Sequence, residues 1–267
     1  MRNAWLFFIC CTIAAPCFAV DSTATGGFLQ ETGSGTNLDT VLENIRSFSG
    51  DRLPQDETLF LVKSAVLSSW EKESTLLRAR QADHRQTCKE AIRRANRDSI
   101  GEVASRCYKD ELLQEMNMLK KQQEYLRGLP LVEEALRTKA DDACTALIAA
   151  ASTIIDGIDA GLFETVEVLK SARNNLHSQY RVPFQEALLR VRIDRALLWV
   201  TFLGMRLQEL VVRDTVPTTE AALCLQSEGE LLQNALLSKD IKLARDSLKE
   251  ALLKRVECQE LLTKILE

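Results

Sequence analysis

Histidine, glycine, proline and aromatic residues are all scarce in this chain: 2 His, 11 Gly, 5 Pro and 6% Phe, Trp and Tyr among 267 residues. The two histidines, His84 and His177, form no His-Glu-x-x-His pair, and the sequence has no Gly-x-Ser-x-Gly turn and no phosphate loop. The familiar signatures of zinc proteases, serine hydrolases and nucleotide-binding enzymes are therefore missing, and an enzyme is not expected. Neither a metal nor a cofactor is expected. The helix-borne carboxylates Asp141, Asp142, Asp156 and Asp159 have no His three or four residues on, as a di-metal helical site requires. They read as solvated helix residues. A net charge of −4 argues against a nucleic-acid binder, and no Asn-x-Ser/Thr sequon offers a site for an N-linked glycan. Beyond the first residues no apolar stretch approaches the ~20 residues of a membrane span, so none is expected.

What is present at the start sets the expected compartment. Arg2 precedes an apolar run from Ala4 to Ala15, Pro16 ends it, and Cys17-Phe18-Ala19 supplies small residues where a signal peptidase reads. Residues 1–19 are expected to be a signal peptide and the product to be secreted to the extracellular space. Residues 20–37 are small and polar, too poor in apolar surface to offset their ordering entropy, and read as a flexible leader.

From residue 38 onward Leu, Ala, Glu, Gln, Lys and Arg dominate, and the period-2 alternation of strands is absent. The expected fold is all-α, a single helical domain over 38–267. Pro54, Pro130, Pro183 and Pro217 each stand just before a helical pattern and divide it into five blocks. A short block covers about Leu38–Phe48, and long ones start near Asp56, Leu131, Phe184 and Thr218. With neither Gly nor Pro between Gln55 and Ile100, one helix of roughly 40 residues fits there, about 60 Å long. Helices of that length favour an elongated antiparallel bundle with coiled-coil-like packing. In the block after Leu131, Gly157 and Gly161 mark a kink or break.

The cysteines add staples. Three of the eight leave with the signal peptide, and Cys88, Cys107, Cys144, Cys224 and Cys258 remain. Two antiparallel helices joined by a tight turn juxtapose residues equidistant from that turn. The midpoint of Cys88 and Cys107 falls within Asn96-Arg97-Asp98-Ser99, and that of Cys224 and Cys258 at Ile241, beside Ser238-Lys239-Asp240. Both clusters prefer caps to helix interiors. The expected bridges are therefore Cys88–Cys107 and Cys224–Cys258, each stapling a helical hairpin. Cys144 is left over, either a buried thiol in an Ala-rich run or the link of a disulfide-bonded homodimer that would make this a structural secreted protein.

Two surfaces are candidates for binding. Between residues 78 and 97 seven cations stand against only Asp83 and Glu90, and Arg85, Lys89, Arg93 and Arg97 recur at i, i+4 on one helical face. Such a stripe suits an anionic glycan or an acidic extracellular protein; the bland alternative is a solvated face paired with carboxylates of another helix. The run Ala196–Met205 has no polar face and belongs in a core. Its Trp199, Phe202, Leu203 and Met205 are also candidate walls of a pocket, which would make the protein a carrier of a lipid-like hydrophobic molecule. The leading expectation is a secreted, non-enzymatic helical binding protein.

Overall fold

The computed structural model describes residues 38–48, 52, 57–96, 99–129, 131–163, 165–213 and 218–266. The expected signal peptide and leader, together with Pro54, Pro130, Pro217 and Arg97, lie outside them. All regular structure among the described residues is helical: α1 (Leu38–Ser47), α2 (Glu57–Arg94), α3 (Ile100–Gly128), α4 (Glu134–Asp159), α5 (Val166–Leu176), a π-helical turn (His177–Arg181), α6 (Val182–Arg213), α7 (Thr219–Leu237) and α8 (Ile241–Leu266). At 38 residues, α2 is the long uninterrupted helix its lack of Gly and Pro predicts. Among the described residues no helix is long and apolar enough to cross a membrane.

The punctuation follows local chemistry, with one exception. Asn96 Oδ1 accepts from the Ser99 backbone N–H at 2.8 Å between α2 and α3. Asp240 Oδ1 accepts from Lys242 N–H at 2.8 Å and Leu243 N–H at 3.3 Å, satisfying two of the orphan donors that open α8. Thr165 caps α5 through Val168 N–H. The break expected around Gly157 and Gly161 occurs at the second of them. α4 continues through Gly157 to Asp159, and Gly161 takes φ +71°, the left-handed conformation that needs no Cβ. Gly157 serves packing instead, because a Cβ there would meet the Phe163 ring at 2.6 Å.

Pro183 is the exception. The expected start of a new helix near Phe184 is absent, and the chain stays helical from Val166 to Arg213. A proline inside a helix lacks a donor and crowds the carbonyl four residues back. Here the preceding turn widens to π geometry, with Val182 N–H bonded to the His177 carbonyl, and the helix passes through.

The described residues divide into two compact units, one formed by those up to Ser68 and from Ala196 onward and the other by those within Ser69–Arg195. In the first, α7 and α8 pack along their length with Cys224 and Cys258 at disulfide distance, Cα atoms 5.5 Å apart. α1 buries Val41, Leu42 and Ile45 against α6 and α7. Two glycines permit this approach: a Cβ on Gly204 would lie 2.4 Å from Ile45 Cγ2, and one on Gly229 1.9 Å from the Phe48 ring. Buried Thr201 then donates its hydroxyl to the Ile45 carbonyl at 3.2 Å, an oxygen that also accepts the Phe48 N–H at 3.3 Å where α1 ends.

In the second unit the chain doubles back from α2 to α3, with Cys88 and Cys107 at disulfide distance and their Cα atoms 5.7 Å apart. It doubles back again from α3 to α4. Gln123 meets Thr145 at 2.7 Å, Arg127 meets Asp141 at 3.1 Å, and Lys109 pairs with Asp159. Leu131, at φ +69°, lies in the intervening connection, and buried Asp194 of α6 accepts the Glu133 N–H at 2.9 Å just before α4 begins.

Candidate functional site

The charged face of α2 and the helix bridged to it form the most developed polar arrangement of the second unit. Arg85 is half-exposed, and its guanidinium holds Glu111 of α3 at 2.8 Å. Glu111 also receives Arg173 of α5 at 3.5 Å. One turn further along α3, Glu115 is gripped by Arg181 from the π turn through both carboxylate oxygens. Tyr108 lies between these pairs, with the Arg173 guanidinium 5.7 Å from its ring centre. Its hydroxyl is buried without a hydrogen-bond partner among the described residues. Burial pushes this phenol up to about 12, with Arg181 and Arg173 pulling the other way.

The expected stripe is therefore split. Arg85 is a structural cation whose charge is answered by a buried carboxylate. Lys89 and Arg93 are exposed and carry no ion pair among the described residues, while Arg97 lies outside them. Neighbouring Arg94 reaches Glu90 at 3.7 Å. The Glu111 partner is readable from register, because a Cys88–Cys107 bridge places residue 85 opposite residues 110 and 111. No local pattern around Arg85 announces it.

The same register brings a histidine to the bridge. His84 precedes Cys88 by one helical turn, and its Nε2 lies 3.4 Å from Cys88 Sγ and 3.5 Å from the Cys107 carbonyl oxygen. Sequence reasoning gave His84 no role, although a His-x-x-x-Cys spacing on a helix is the signal that places the two side chains together.

The remaining candidates are buried or half-buried. Cys144 is buried, directs its thiol at the Leu119 carbonyl at 3.5 Å, and is pushed up to about 12 by burial, with Asp141 adding to the shift and Arg127 opposing it. Such a thiol is neither a nucleophile at neutral pH nor open to a second chain without local unfolding. Phe202 and Leu203 are buried and Trp199 and Met205 half-buried, with Trp199 and Phe202 stacked at 5.7 Å between ring centres. Arg206 covers the Phe202 ring from 5.6 Å. A cleft of about 730 Å³ lies elsewhere, in the second unit, lined by Ile100, Ser105, Ile158, Phe163 and Val166 among others. None of the four proposed pocket residues borders it.

Asp141 and Asp159, weighed as metal ligands, are taken by Arg127 and Lys109. Among the described residues no group of three His, Cys, Asp or Glu side chains is placed to hold a metal ion. No protein-family model, no curated protein and no solved structure matches this chain.

Proposed function

We propose that this chain is a secreted, non-enzymatic interaction protein, built of stapled antiparallel helices, that offers the cationic face of α2 to an anionic extracellular partner. The observation that carries the proposal is the division of labour along that face. Arg85 is locked to Glu111 and fixes the helix, while Lys89 and Arg93, one and two turns on, remain exposed with no carboxylate partner among the described residues. Exposed cations on one helical face, with no carboxylate partner among the described residues, raise the local concentration of anions and speed their encounter. Two cysteine pairs at disulfide distance support an oxidising compartment, in keeping with the sequence of residues 1–19.

The test must spare Arg85, since reversing it would set a second carboxylate against the buried Glu111. Lys89→Glu with Arg93→Glu should lower the salt concentration that elutes the protein from a sulfated-glycan column, leaving helicity unchanged. Elution at the wild-type position would remove the stripe from the proposal. A wild-type protein that ignores the glycan column but is retained on an acidic protein, in a way that Lys89→Glu with Arg93→Glu abolishes, would make the partner an acidic protein and not a glycan. The stacked Trp199 and Phe202 give the carrier reading no comparable support.

A further inference from the structure

We propose that the Cys88–Cys107 bridge is a thiol–disulfide exchange site, in which His84 stabilises the leaving sulfur and the reactant is an anionic low-molecular-weight thiol. Access is the first observation. Cys88 and Cys107 are half-buried, whereas Cys224 is 7% exposed and Cys258 0%. Exchange requires an attacking sulfur to reach the bridge, which the greater exposure of the first pair favours.

The second observation is the donor on Cys88. A carbonyl oxygen and a disulfide sulfur both only accept, so the Nε2 that faces the Cys107 carbonyl and Cys88 Sγ carries its hydrogen. A hydrogen bond aimed at the sulfur that becomes a thiolate lowers the cost of its departure. Helix geometry holds His84 in place, one turn before Cys88. The third observation is charge. Arg85 and Lys89 flank this turn of α2 together with Asp83 and Glu90; Glu90 is engaged by Gln86 and Arg94, and Glu111, which faces the turn from α3, is shared by Arg85 and by Arg173 of α5. Arg106, beside Cys107, pairs with Glu102. Around Cys224 and Cys258 the neighbours in sequence Ala221, Ala222, Leu225 and Leu262 are buried, and the charged groups one turn away, Glu228 and Arg255, are paired with each other.

The chemistry balances with thiol alone. The thiolate attacks Cys107 Sγ, a new bond forms between the two sulfurs, and the Cys88–Cys107 bond breaks with its electron pair on Cys88. That thiolate is held by the Nε2–H of His84 and takes up from solvent the proton that the attacking thiol released. A second thiol attacks the small-molecule sulfur of the mixed disulfide and releases Cys107 as a thiol. Two thiols are oxidised to one small disulfide while the protein bridge is reduced to two thiols, and the reverse sequence closes it again.

The test uses the full oxidised protein, exposed to limiting mercaptoethanesulfonate, which is anionic, or cysteamine, which is cationic. Quenching by alkylation and peptide mapping then reads each cysteine. Cys88 and Cys107 should open while Cys224 and Cys258 stay joined, the mixed disulfide should sit on Cys107, and the anionic thiol should gain most as salt is lowered. His84→Leu should slow opening about ten-fold or more, while His84→Gln, which keeps an N–H donor, should retain much of the rate. Equal opening of both bridges, earlier opening of Cys224–Cys258, or a His84→Leu protein as fast as wild type would each overturn the proposal. The comparison of the two bridges and two thiols is made in the wild-type protein, so it stands even where a variant folds poorly.

Discussion

In the first unit the α7–α8 pair buries its bridge and an ion pair, while in the second the α2–α3 pair leaves its bridge and its charges more exposed. Cys258 and Glu228 are both 0% exposed. Glu228 Oε1 accepts from Arg255 at 2.7 Å, and Arg255 also donates to the Ala196 carbonyl at 3.2 Å, but Oε2 has no partner among the described residues. Burial raises the Glu228 carboxyl above its ordinary value, with Arg255 opposing. On α2 and α3 the corresponding pair is Arg85 with Glu111, one partner half in solvent. Two helix pairs of one chain, each with one bridge, thus differ in exposure. The buried pair gains specificity at the cost of desolvation, and the exposed pair gains access at the cost of screening.

The largest effect that would break this contrast is on the bridges themselves. Replacing Cys224 and Cys258 by Ala should cost about 4 kcal/mol and replacing Cys88 and Cys107 about 3 kcal/mol, because loops of 34 and 19 residues restrain the unfolded chain unequally. Denaturant titration of the two double variants measures this, and a larger loss from the exposed bridge would reverse the comparison. Next in size is Gly229→Ala, in the first unit. The gain in helix propensity is outweighed by a methyl placed within 1.9 Å of the Phe48 ring, and α1 should loosen with a loss of about 1–3 kcal/mol. Hydrogen exchange of residues 38–48 should rise with it.

The pH dependences of the two units should run in different ranges. Tyr108, raised to about 12, contributes stability that is complete below 10.0 and lost as the pH climbs through about 12, on the order of 2 kcal/mol. Tyr108→Phe should abolish that alkaline loss and remove one late component from the phenol absorbance titration. Glu228, also raised, contributes stability that is complete below its ordinary 4.5 and declines as the pH rises through its folded value. Unfolding midpoints measured from acid toward neutral pH should show the decline, and Glu228→Gln should flatten it. The smallest effect is Gly128→Ala at the end of α3, where a Cβ meets nothing within 4 Å. It should raise stability by about 0.5–1 kcal/mol, opposite in sign to Gly229→Ala.

Much of this architecture is legible in order along the chain. The absence of Gly and Pro over residues 56–99 produces α2, and the Asn96 and Asp240 caps produce turns midway between paired cysteines. Pro183 misleads because a π turn absorbs it, and only the hydrogen-bonding of the preceding residues reveals that. The stripe was readable as a face but not as a site. Lys89 and Arg93 differ from Arg85 only in what α3 sets opposite them. His84 gives no sequence signal of a role for a related reason, since its partner is the sulfur four residues on and that sulfur matters only once Cys107 arrives.

The sequence alone determined which segments are helical, where most of them stop, and which cysteines lie equidistant from a turn, because caps, propensities and spacing act over a few residues. Only tertiary structure decided which bridge is exposed, which cation is answered and which glycine is needed. Those outcomes depend on groups far apart in the chain, such as Thr201 donating to Ile45 across 156 residues or Arg181 gripping Glu115 across 66. Packing sets the rotation of each helix about its own axis, and that rotation assigns every side chain to water or to a neighbour.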